Sequence, residues 1–348
     1  MKAYQLVAWQ QPPELREVAV PEPGPGEVLI KVGGAGACHT DLHLMDRPPE
    51  RADPYERPPF TLGHENAGWI EALGAGVTGW QAGDAVAVYG AWGCGRCAPC
   101  RQGSEMLCER VDEVGSWGGG LGRDGGMAEF MLVPSARLLV PLGDLDPRDA
   151  APLTDAALTP YHALKSALPL LSPGAWALVI GVGGLGHMAV QLLAAVSAAQ
   201  VIAVDVDESK LALARQVGAE ATVVAGESAA AQARELTAGL GATLVLDCVG
   251  SAQTMALAAA AARAGGAVRI IGLAGGTLPL AWGTLPYDCS LSTPYWGSVV
   301  ELMEVLELAR TGKVRAHTER FALDDVADAY ARLRAGTVQG RAVITPHG

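Results

Sequence analysis

The sequence predicts an α/β protein in which a β-rich domain is interrupted by a doubly wound parallel sheet. Three observations lead to this prediction. The chain has 348 residues, and one domain usually takes about 100–200, so two domains are expected. Residues 1–150 contain short apolar runs closed by Gly or Pro, which are typical of strands. From Ala175 to Trp296, strand-like and helix-like stretches alternate, which is typical of a parallel sheet.

Each predicted element follows from its own local pattern. Strands are expected at VLIKVGGAGA, AGWIEALGAG, GDAVAVYGAW and AEFMLVP, and then at ALVIG, VIAVD, TLVLD and VRIIG. Helices are expected at His187–Ala199, Glu208–Val217, Thr254–Arg263, Glu301–Arg310 and Asp324–Arg334, and a last strand at RAVITP. The last helix and strand are expected to return to the first domain. The predicted domains are therefore 1–153 and 154–298, with 299–348 as the returning segment.

The composition excludes several classes of protein. Half of the residues are hydrophobic and 18% are charged, which excludes intrinsic disorder. The net charge is −12 and there is no run of basic residues, so nucleic-acid binding is not expected. The N-terminus lacks the long apolar run of a signal peptide, and a cytoplasmic enzyme is therefore expected.

One stretch raises the alternative of a membrane span. Residues 166–204 contain no Asp, Glu, Lys or Arg, which is long enough to cross a bilayer. Pro173-Gly174 and the run GVGGLG interrupt this stretch, however. The buried strands of a parallel sheet are also apolar on both faces, so no membrane span is predicted.

The strongest local signal is a cluster of cysteines at positions 94, 97, 100 and 108. Four thiolates within such a short segment suit one tetrahedral Zn²⁺ in a closed structural site. Disulfides, an iron–sulfur cluster and a redox dithiol are the alternatives. No sign of secretion supports disulfides, the spacing differs from the common iron–sulfur pattern, and a dithiol would leave two thiols unexplained.

A second set of metal-ligating side chains is scattered along the chain. It lies in the segments CHTDLH at 38–43, GHE at 63–65 and TD at 154–155. Cys, His and carboxylate are all zinc ligands, and a site with three protein ligands leaves one position open for a substrate. Each segment alone is weak, because a lone Cys or His is most often a core residue.

A dinucleotide site is predicted at Gly181-Val-Gly183-Gly184-Leu185-Gly186. This run follows a predicted strand and opens a predicted helix, the context that such a turn requires. The helix N-terminus would supply N–H groups to a pyrophosphate. The next strand ends in Asp205, where a carboxylate holds the ribose 2′-hydroxyl and repels a 2′-phosphate, so NAD is favoured over NADP. Lys210 is close enough in sequence to reach the same ribose.

With these motifs in place, the chain resembles the zinc-dependent medium-chain alcohol dehydrogenases, and most closely the bacterial tetrameric NAD-dependent secondary-alcohol dehydrogenases. The resemblance covers nearly the whole chain. It is carried by GHENAG at 63–68 with Gly74 and Val77, together with CHTDLH, the cysteine lobe at 94–108, GVGGLG and the late GRAV at 340–343. It implies a GroES-like catalytic domain, a Rossmann domain and a homotetramer that pairs through the edge strand of the nucleotide domain.

The resemblance also implies roles for individual residues. Catalytic zinc would be held by Cys38, His64 and Asp155, and structural zinc by Cys94, Cys97, Cys100 and Cys108. Many members of the family have Cys where this chain has Asp155, and the bacterial branch has Asp. Glu65 matches an acid near the metal that can exchange with a ligand, and Thr40 and His43 match the proton relay. Thr40 as a helix N-cap and His43 as a surface histidine are the structural alternatives.

Further residues are expected around the cofactor and the substrate. The resemblance places these residues at the cofactor, in addition to the glycine turn: His39, Thr159, Val249, Ile271, Leu273 and Arg341. The expected walls of the substrate pocket are Trp92, Leu121, Tyr295 and Trp296, although Trp296 would suit a core or a subunit interface equally well. Bulky apolar walls favour small secondary alcohols and ketones.

The implied reaction is the oxidation of an alcohol by NAD⁺ to a ketone or aldehyde, through an alkoxide on zinc and hydride transfer. Thr40 would take the hydroxyl proton and His43 would pass it to water. A polyol or aldehyde dehydrogenase of the same family is the main alternative. A zinc-free quinone reductase should lack the cysteine lobe and Asp205, and a non-enzymatic dinucleotide-binding protein should lack Cys38 or His64.

Overall fold

The computed structural model describes all residues, 1–348. The strands before Asp155 are β1 Lys2–Leu6, β2 Glu14–Glu17, β3 Val28–Gly36, β4 Phe60–Thr61, β5 Glu65–Leu73, β6 Ala85–Val88, β7 Gly118–Gly119, β8 Gly122–Arg123, β9 Phe130–Val133 and β10 Leu139–Pro141. The helices of the same part are α1 His39–Asp46, α2 Ala98–Arg101, α3 Val111–Val114 and α4 Pro147–Ala150.

The remaining elements follow in chain order. The middle part contains α5 Leu158–Lys165, β11 Trp176–Ile180, α6 Gly184–Val196, β12 Gln200–Asp205, α7 Glu208–Gln216, β13 Ala221–Val224, α8 Ala229–Leu236, β14 Ala242–Asp247, α9 Ala252–Ala261, β15 Ala262–Ile270 and β16 Ser290–Ser292. The last part contains α10 Val299–Arg310, β17 Thr318–Ala322, α11 Val326–Arg334 and β18 Arg341–Thr345. Short 3₁₀ turns lie at Pro49–Arg51, Glu105–Leu107, Ala136–Leu138, Ala151–Thr154, Leu168–Leu170 and Leu323–Asp325.

The chain forms two compact units. The first unit comprises Met1–Asp155, Gly297–Arg310 and Ala316–Gly348. The second unit comprises Ala156–Trp296 and Thr311–Arg315. The chain therefore leaves the first unit after Asp155, returns to it after Trp296, and enters the second unit once more at Thr311–Arg315.

The first unit is built around a seven-stranded sheet, in which the path β10-β6-β5-β3-β18-β17 is joined by β9 paired with β3. Strands β3 and β18 are antiparallel, with Ile344 opposite Ala35. A three-stranded sheet β2-β1-β4 and a short pair β7-β8 complete its β structure. Because β18 joins β3, the last residues of the chain lie beside the segment that leads into α1.

Helix α1 begins directly after β3, with Cys38 as its N-cap. The Asp41 carboxylate accepts a hydrogen bond from the Cys38 backbone N–H at 2.9 Å, which satisfies a donor at the helix start. The buried residues of α1 include Leu42 and Leu44, whereas His43 is exposed. The helix ends before Pro48-Pro49, since a proline cannot continue the helical hydrogen bonds.

The second unit contains one fully parallel six-stranded sheet in the order β13-β12-β11-β14-β15-β16. Its central strands β11, β12 and β14 are apolar on both faces, and side chains such as Leu178, Ile202 and Val245 are completely buried. Helices that cover both faces of a parallel sheet produce this pattern. The strand order reverses between β11 and β14, and ligands of such sheets bind at the carboxyl ends of the strands at this point.

The stretch without charged residues belongs to the second unit. It forms β11, α6 and most of β12. No helix in the structure combines the length and apolarity needed to cross a bilayer. Residues 166–204 are thus divided among several short elements, as the Pro-Gly pair and the glycine turn predict.

Some predicted boundaries shift by a few residues. The helix expected at Thr254–Arg263 runs from Ala252 to Ala261 instead. Its start is set by Ser251, whose hydroxyl accepts a hydrogen bond from the Thr254 N–H at 3.1 Å. Its end is set by β15, because Ala262 already pairs with Ala242 of the neighbouring strand.

Candidate metal centres and dinucleotide site

The four cysteines of the lobe at 94–108 converge on one point. Their sulfur atoms all lie within 4.8 Å of one another, and every cysteine in the chain is free of disulfides. The Cys97 backbone N–H donates to the Cys94 sulfur at 3.4 Å, and the Cys94 N–H donates to the Cys108 sulfur at 3.3 Å. The N–H groups of Arg96 and Cys97 lower the pKa of the Cys94 thiol to about 6. Four clustered thiols with amide donors fit a tetrahedral zinc ion.

An ion pair between the buried Glu105 and the more exposed Arg137 supports this lobe. The Glu105 carboxylate accepts a hydrogen bond from the Gly93 backbone N–H at 2.7 Å and forms an ion pair with the Arg137 guanidinium. Arg137 also donates to the Gly93 carbonyl at 2.6 Å. No sequence pattern indicated this arrangement, because Arg137 lies outside the cysteine segment.

A second cluster contains Cys38, His64, Glu65 and Asp155, whose ligand atoms all lie within 4.8 Å of one another. The His64 Nε2 atom is 3.7 Å from Asp155 Oδ2, and the Cys38 sulfur is 4.0 Å from the same oxygen. Ligand atoms on one tetrahedral zinc ion are about 3.3–3.8 Å apart. The three side chains, which follow β3, precede β5 and follow the turn at 151–154, therefore fit one such ion.

The charge of this cluster also favours a cation. Burial would lower the pKa of His64, but the Asp41 charge and hydrogen bonds to Asp155 and Asp41 raise it well above its usual value. Burial would raise the pKa of Asp155, but His64 and Arg341 hold it well below its usual value. A buried site that stabilises positive charge on His64 suits a divalent metal ion at the same place.

Glu65 and Arg341 form a buried ion pair beside these ligands. The Arg341 Nε donates to Glu65 Oε2 at 2.8 Å, its Nη2 bonds Glu65 Oε1, and the same Nη2 is 3.6 Å from Asp155 Oδ2. Burial raises the pKa of Glu65 to about 7, against the opposing effect of Arg341. A Cβ atom at Gly36 would lie 2.0 Å from Glu65 Oε2, so only glycine leaves room for this carboxylate. Arg341 thus lies beside the metal cluster and is 3% exposed. Its expected contact with the cofactor pyrophosphate stays a prediction.

Asp41 is a buried residue that the sequence prediction missed. Its Oδ1 is 3.1 Å from His64 Nδ1, and its Oδ2 accepts hydrogen bonds from the Cys38 N–H and from the Tyr330 hydroxyl, both at 2.9 Å. A carboxylate that accepts the Nδ1 proton leaves the Nε2 lone pair of His64 for a metal. One sequence feature could have indicated this role of Asp41. It is an acidic residue three positions after the N-cap, and the side chain of such a residue can accept a hydrogen bond from the N-cap backbone.

The predicted relay residues lie on α1. Thr40 is partly exposed, and its hydroxyl is 3.6 Å from the Cys38 sulfur. His43 is exposed one turn further on, as is His39 at the start of the helix. The alternative prediction that Thr40 is the N-cap of this helix is wrong, because Cys38 occupies that position and Thr40 lies within the first turn. The helix therefore leads from the metal cluster to the surface.

The glycine turn of the second unit lies between β11 and α6, as the sequence predicts. Gly181 has a φ of +84°, and a Cβ atom at Gly186 would lie 1.8 Å from the Gly181 carbonyl. Asp205, at the end of β12, is 8% exposed and accepts a hydrogen bond from the Val182 N–H at 2.7 Å. A Cβ atom at Gly183 would meet no other atom within 4 Å, so the open side of the turn has room for a pyrophosphate.

The neighbouring loop after β14 packs on this turn. A Cβ atom at Gly181 would lie 2.4 Å from the Val249 side chain. Asp247 holds the loop, because its Oδ1 accepts hydrogen bonds from the Val249 and Gly250 N–H groups at 3.0 and 2.9 Å. Both loops thus flank the point where the strand order reverses, which fits a dinucleotide.

The other residues expected at the cofactor are spread over the second unit. Thr159 is buried in α5, and Ile271 is buried directly after β15. Leu273 is 64% exposed, and Lys210 is partly exposed in the first turn of α7. Lys210 therefore lies in the helix that directly follows the strand of Asp205.

The four residues expected to line the substrate pocket fall in two places. Trp92 and Leu121 are in the first unit, and both are 4% exposed. Trp92 borders a cavity of about 310 Å³ whose lining contains none of the candidate zinc ligands. Tyr295 and Trp296 are in the second unit with their rings in edge contact, 6.0 Å apart. The predicted pocket walls remain a prediction.

Comparisons with known proteins show the family of this chain. Residues 24–144 match the family model described as the alcohol dehydrogenase GroES-like domain, and residues 184–308 match the model described as zinc-binding dehydrogenase. The first match contains the cysteine lobe and two segments of the second metal cluster. The second match contains most of the parallel sheet.

Individual relatives span the whole chain. A D-arabinose 1-dehydrogenase (NADP⁺) of Saccharolobus solfataricus is 36% identical, with 99% of this chain and 97% of the relative covered. An NAD-dependent alcohol dehydrogenase of Sulfurisphaera tokodaii is 35% identical, with 99% and 100% covered. The crystal structure of an alcohol dehydrogenase from Aeropyrum pernix superposes with a TM-score of 0.92 at 39% identity, with 99% and 100% covered. The chain belongs to the zinc-dependent medium-chain alcohol dehydrogenase family.

Proposed function

We propose that this protein oxidises secondary alcohols to ketones with NAD⁺, and reduces ketones in the reverse direction. The observation that carries the proposal is the cluster of Cys38, His64 and Asp155, which offers three zinc ligands. Residues 1–153 and 299–348 would form the catalytic domain, and 154–298 would bind NAD. The balanced reaction converts alcohol and NAD⁺ into ketone, NADH and one proton.

Different residues of the first unit would carry out the successive parts of proton removal from the alcohol. A zinc ion held by Cys38, His64 and Asp155 supplies Lewis acidity, which lowers the pKa of a bound hydroxyl group. Thr40 accepts the hydroxyl proton, because its Oγ1 lies beside the Cys38 sulfur. His43 passes that proton to water, since it is exposed one turn along the same helix.

Charge balance supports Asp155 as the third ligand. One thiolate, one carboxylate and a neutral imidazole neutralise Zn²⁺, as two thiolates and an imidazole would. Carboxylate oxygen is a harder ligand than sulfur, so the bound metal should be a somewhat stronger Lewis acid. Arg341 forms a bidentate ion pair with Glu65, and Asp155 Oδ2 lies beside His64 Nε2 and the Cys38 sulfur.

The second unit would bind NAD and supply the hydride acceptor. The glycine turn and the start of α6 would hold the pyrophosphate. Asp205 would accept a hydrogen bond from the ribose 2′-hydroxyl and repel the 2′-phosphate of NADP. The NADP⁺-linked relative shows that the family accommodates both cofactors, so Asp205 is the support for NAD here.

A polyol or sugar dehydrogenase is the second candidate. The D-arabinose dehydrogenase among the relatives supports it, because its similarity extends over the whole chain. The bulky apolar Trp92 and Leu121, if they line the pocket, favour a small apolar alcohol instead. The same reaction chemistry serves both classes of substrate.

The decisive experiment combines metal content with turnover. Protein purified without added metal is analysed for zinc and assayed with NAD⁺ on 2-propanol, 1-phenylethanol and D-arabinose. Two zinc ions per chain with turnover of the secondary alcohols support the proposal. One zinc ion without turnover would overturn the catalytic site, and turnover of D-arabinose alone would favour the sugar dehydrogenase.

We further propose a cytoplasmic homotetramer. The seven free cysteines suit a reducing compartment. In the second unit, large apolar side chains are exposed on the segment 273–287 that precedes the edge strand β16, among them Trp282 at 92% and Tyr287 at 71%. Contiguous exposed apolar surface of this kind is typical of a protein interface.

A further inference from the structure

A chain of buried polar contacts extends from the candidate metal centre to the last helix of the protein. It runs from His64 through Asp41 to Tyr330 of α11. All of these residues belong to the first unit, and Asp41 is completely buried. Tyr330 is 4% exposed, so its hydroxyl is bonded inside the protein rather than to solvent.

We propose that Tyr330 is a positioning residue for the catalytic metal centre, because its hydroxyl fixes the Asp41 carboxylate that orients His64. The proposal rests on the proposed function, since it concerns the same zinc site. Tyr330 itself is not a zinc ligand.

The geometry explains why Asp41 needs a second anchor. Its Oδ2 accepts from the Cys38 N–H and the Tyr330 hydroxyl, which come from the start of α1 and from α11, at 2.9 Å each. Two donors on one oxygen fix the carboxylate plane and leave Oδ1 for His64 Nδ1. No Lys or Arg is paired with Asp41, so these hydrogen bonds are its stabilising contacts. Loss of the hydroxyl would leave Oδ2 with the Cys38 N–H as its one donor, so the carboxylate would be held less firmly and the imidazole would be less well oriented.

Tyr4 provides a matched control for this proposal. Its ring is stacked on the Tyr330 ring, with centroids 5.9 Å apart and planes inclined by 16°, and it is also buried. Of the two tyrosine hydroxyls, only that of Tyr330 bonds Asp41. Tyr4→Phe and Tyr330→Phe therefore remove the same group from two stacked rings, and only the second change affects the metal centre.

The test measures zinc release from the purified holoenzyme with a chromogenic chelator. The two zinc sites of one chain provide an internal reference, because Tyr330→Phe should change only the catalytic one. Substitution of outer partners of metal ligands costs about 10–100-fold in metal affinity. Tyr330 is one hydrogen bond further from the metal than Asp41, the direct partner of His64. We therefore expect about 10-fold faster release of one zinc ion in Tyr330→Phe, with release of the other zinc ion unchanged. Tyr4→Phe should release both zinc ions at the rates of the wild-type protein.

A double variant shows whether Tyr330 acts through Asp41. In an Asp41→Asn background, Tyr330→Phe should add no further acceleration of zinc release. Equal release rates in Tyr330→Phe and Tyr4→Phe would overturn the inference and leave the proposed function intact. Equal acceleration of both zinc phases would also overturn it, since that result indicates general destabilisation. A wild-type protein with only one zinc ion per chain would overturn both proposals.

Discussion

At the level of single residues, a buried ion pair of Glu65 and Arg341 lies beside the candidate zinc ligands Cys38, His64 and Asp155. Both side chains are almost inaccessible, and the ion pair is bidentate. Removal of one partner from such a pair leaves an uncompensated buried charge. Asp155 is the carboxylate that remains beside Cys38 and His64.

The first prediction concerns the thiolate of this cluster. Cys38→Ser should reduce zinc from two ions to one per chain and lower turnover at least ~100-fold, because the metal loses its only soft ligand there. Elemental analysis and the NAD⁺-linked assay measure both effects. Cys289→Ser is the control, since Cys289 lies outside both clusters. Retention of two zinc ions by the Cys38 variant would contradict the assignment.

The second prediction concerns the cofactor. Asp205→Asn keeps an acceptor near the Val182 N–H but removes the charge that repels a 2′-phosphate. A hydrogen bond to a charged group is worth about 1.5–3 kcal/mol, so kcat/KM for NAD⁺ should fall about 10–100-fold. The activity with NADP⁺ should rise relative to NAD⁺. Steady-state kinetics with both cofactors check this, with the exposed Glu208→Gln as control.

The third prediction concerns pH. Partial loss of hydration around its ring lowers the pKa of His43, and Arg47 and Arg334 lower it further against the opposing effect of Asp46. His43 must be neutral to accept a proton, so the relay should gain activity as pH rises through a pKa below the usual value for histidine. His43→Gln should remove this limb from the profile of kcat against pH and slow turnover about 10-fold, with both zinc ions retained. An unchanged rate and profile would exclude the relay role.

At the level of elements, the cysteine lobe is attached to the first unit by the Glu105–Arg137 pair. The lobe contains only α2 and a 3₁₀ turn as regular structure, so it depends on metal ligands and polar contacts for its shape. Glu105 contacts Gly93 on one side and Arg137 on the other. The pair therefore fixes the segment that leads into Cys94.

The fourth prediction tests this attachment. Glu105→Ala leaves the Gly93 N–H and the Arg137 guanidinium without their acceptor, which should lower the free energy of unfolding by about 1–3 kcal/mol. The lobe zinc should be released faster, and the catalytic zinc should not. Urea unfolding and chelator kinetics measure both. Glu109→Ala is the matched control, because Glu109 is exposed in the same lobe and should change stability by less than about 0.5 kcal/mol.

At the level of the whole molecule, the exposed apolar segment of the second unit bears on assembly. The fifth prediction is that the wild-type protein has the mass of four chains by light scattering. Replacement of both Trp282 and Tyr287 by Ser should lower that mass, because the two rings are among the most exposed large apolar side chains. Leu107→Ser, a change at an exposed residue of the first unit, should leave the mass unchanged. A monomeric wild-type protein would contradict the tetramer.

The features that depend on local spacing could be predicted from the amino-acid sequence. The alternation of strands and helices, the glycine turn and the cysteine lobe each lie within a short segment, so their periodicity and spacing are visible along the chain. The order of the segments that contain the candidate ligands was also visible in the sequence. The family resemblance then assigned Cys38, His64 and Asp155 to a single zinc site. Helix ends were less predictable, because caps and strand pairing set them.

The polar groups that support these sites could be identified only once the chain was folded. Tyr330 and Asp41 are 289 residues apart in sequence, and Arg341 and Glu65 are 276 apart. These contacts exist because β18 pairs with β3 and because Tyr330 of α11 reaches Asp41 of α1 in the first unit. No local pattern encodes a partner at such a distance. A buried carboxylate or guanidinium nevertheless requires one, since an unpaired charge in the interior costs several kcal/mol.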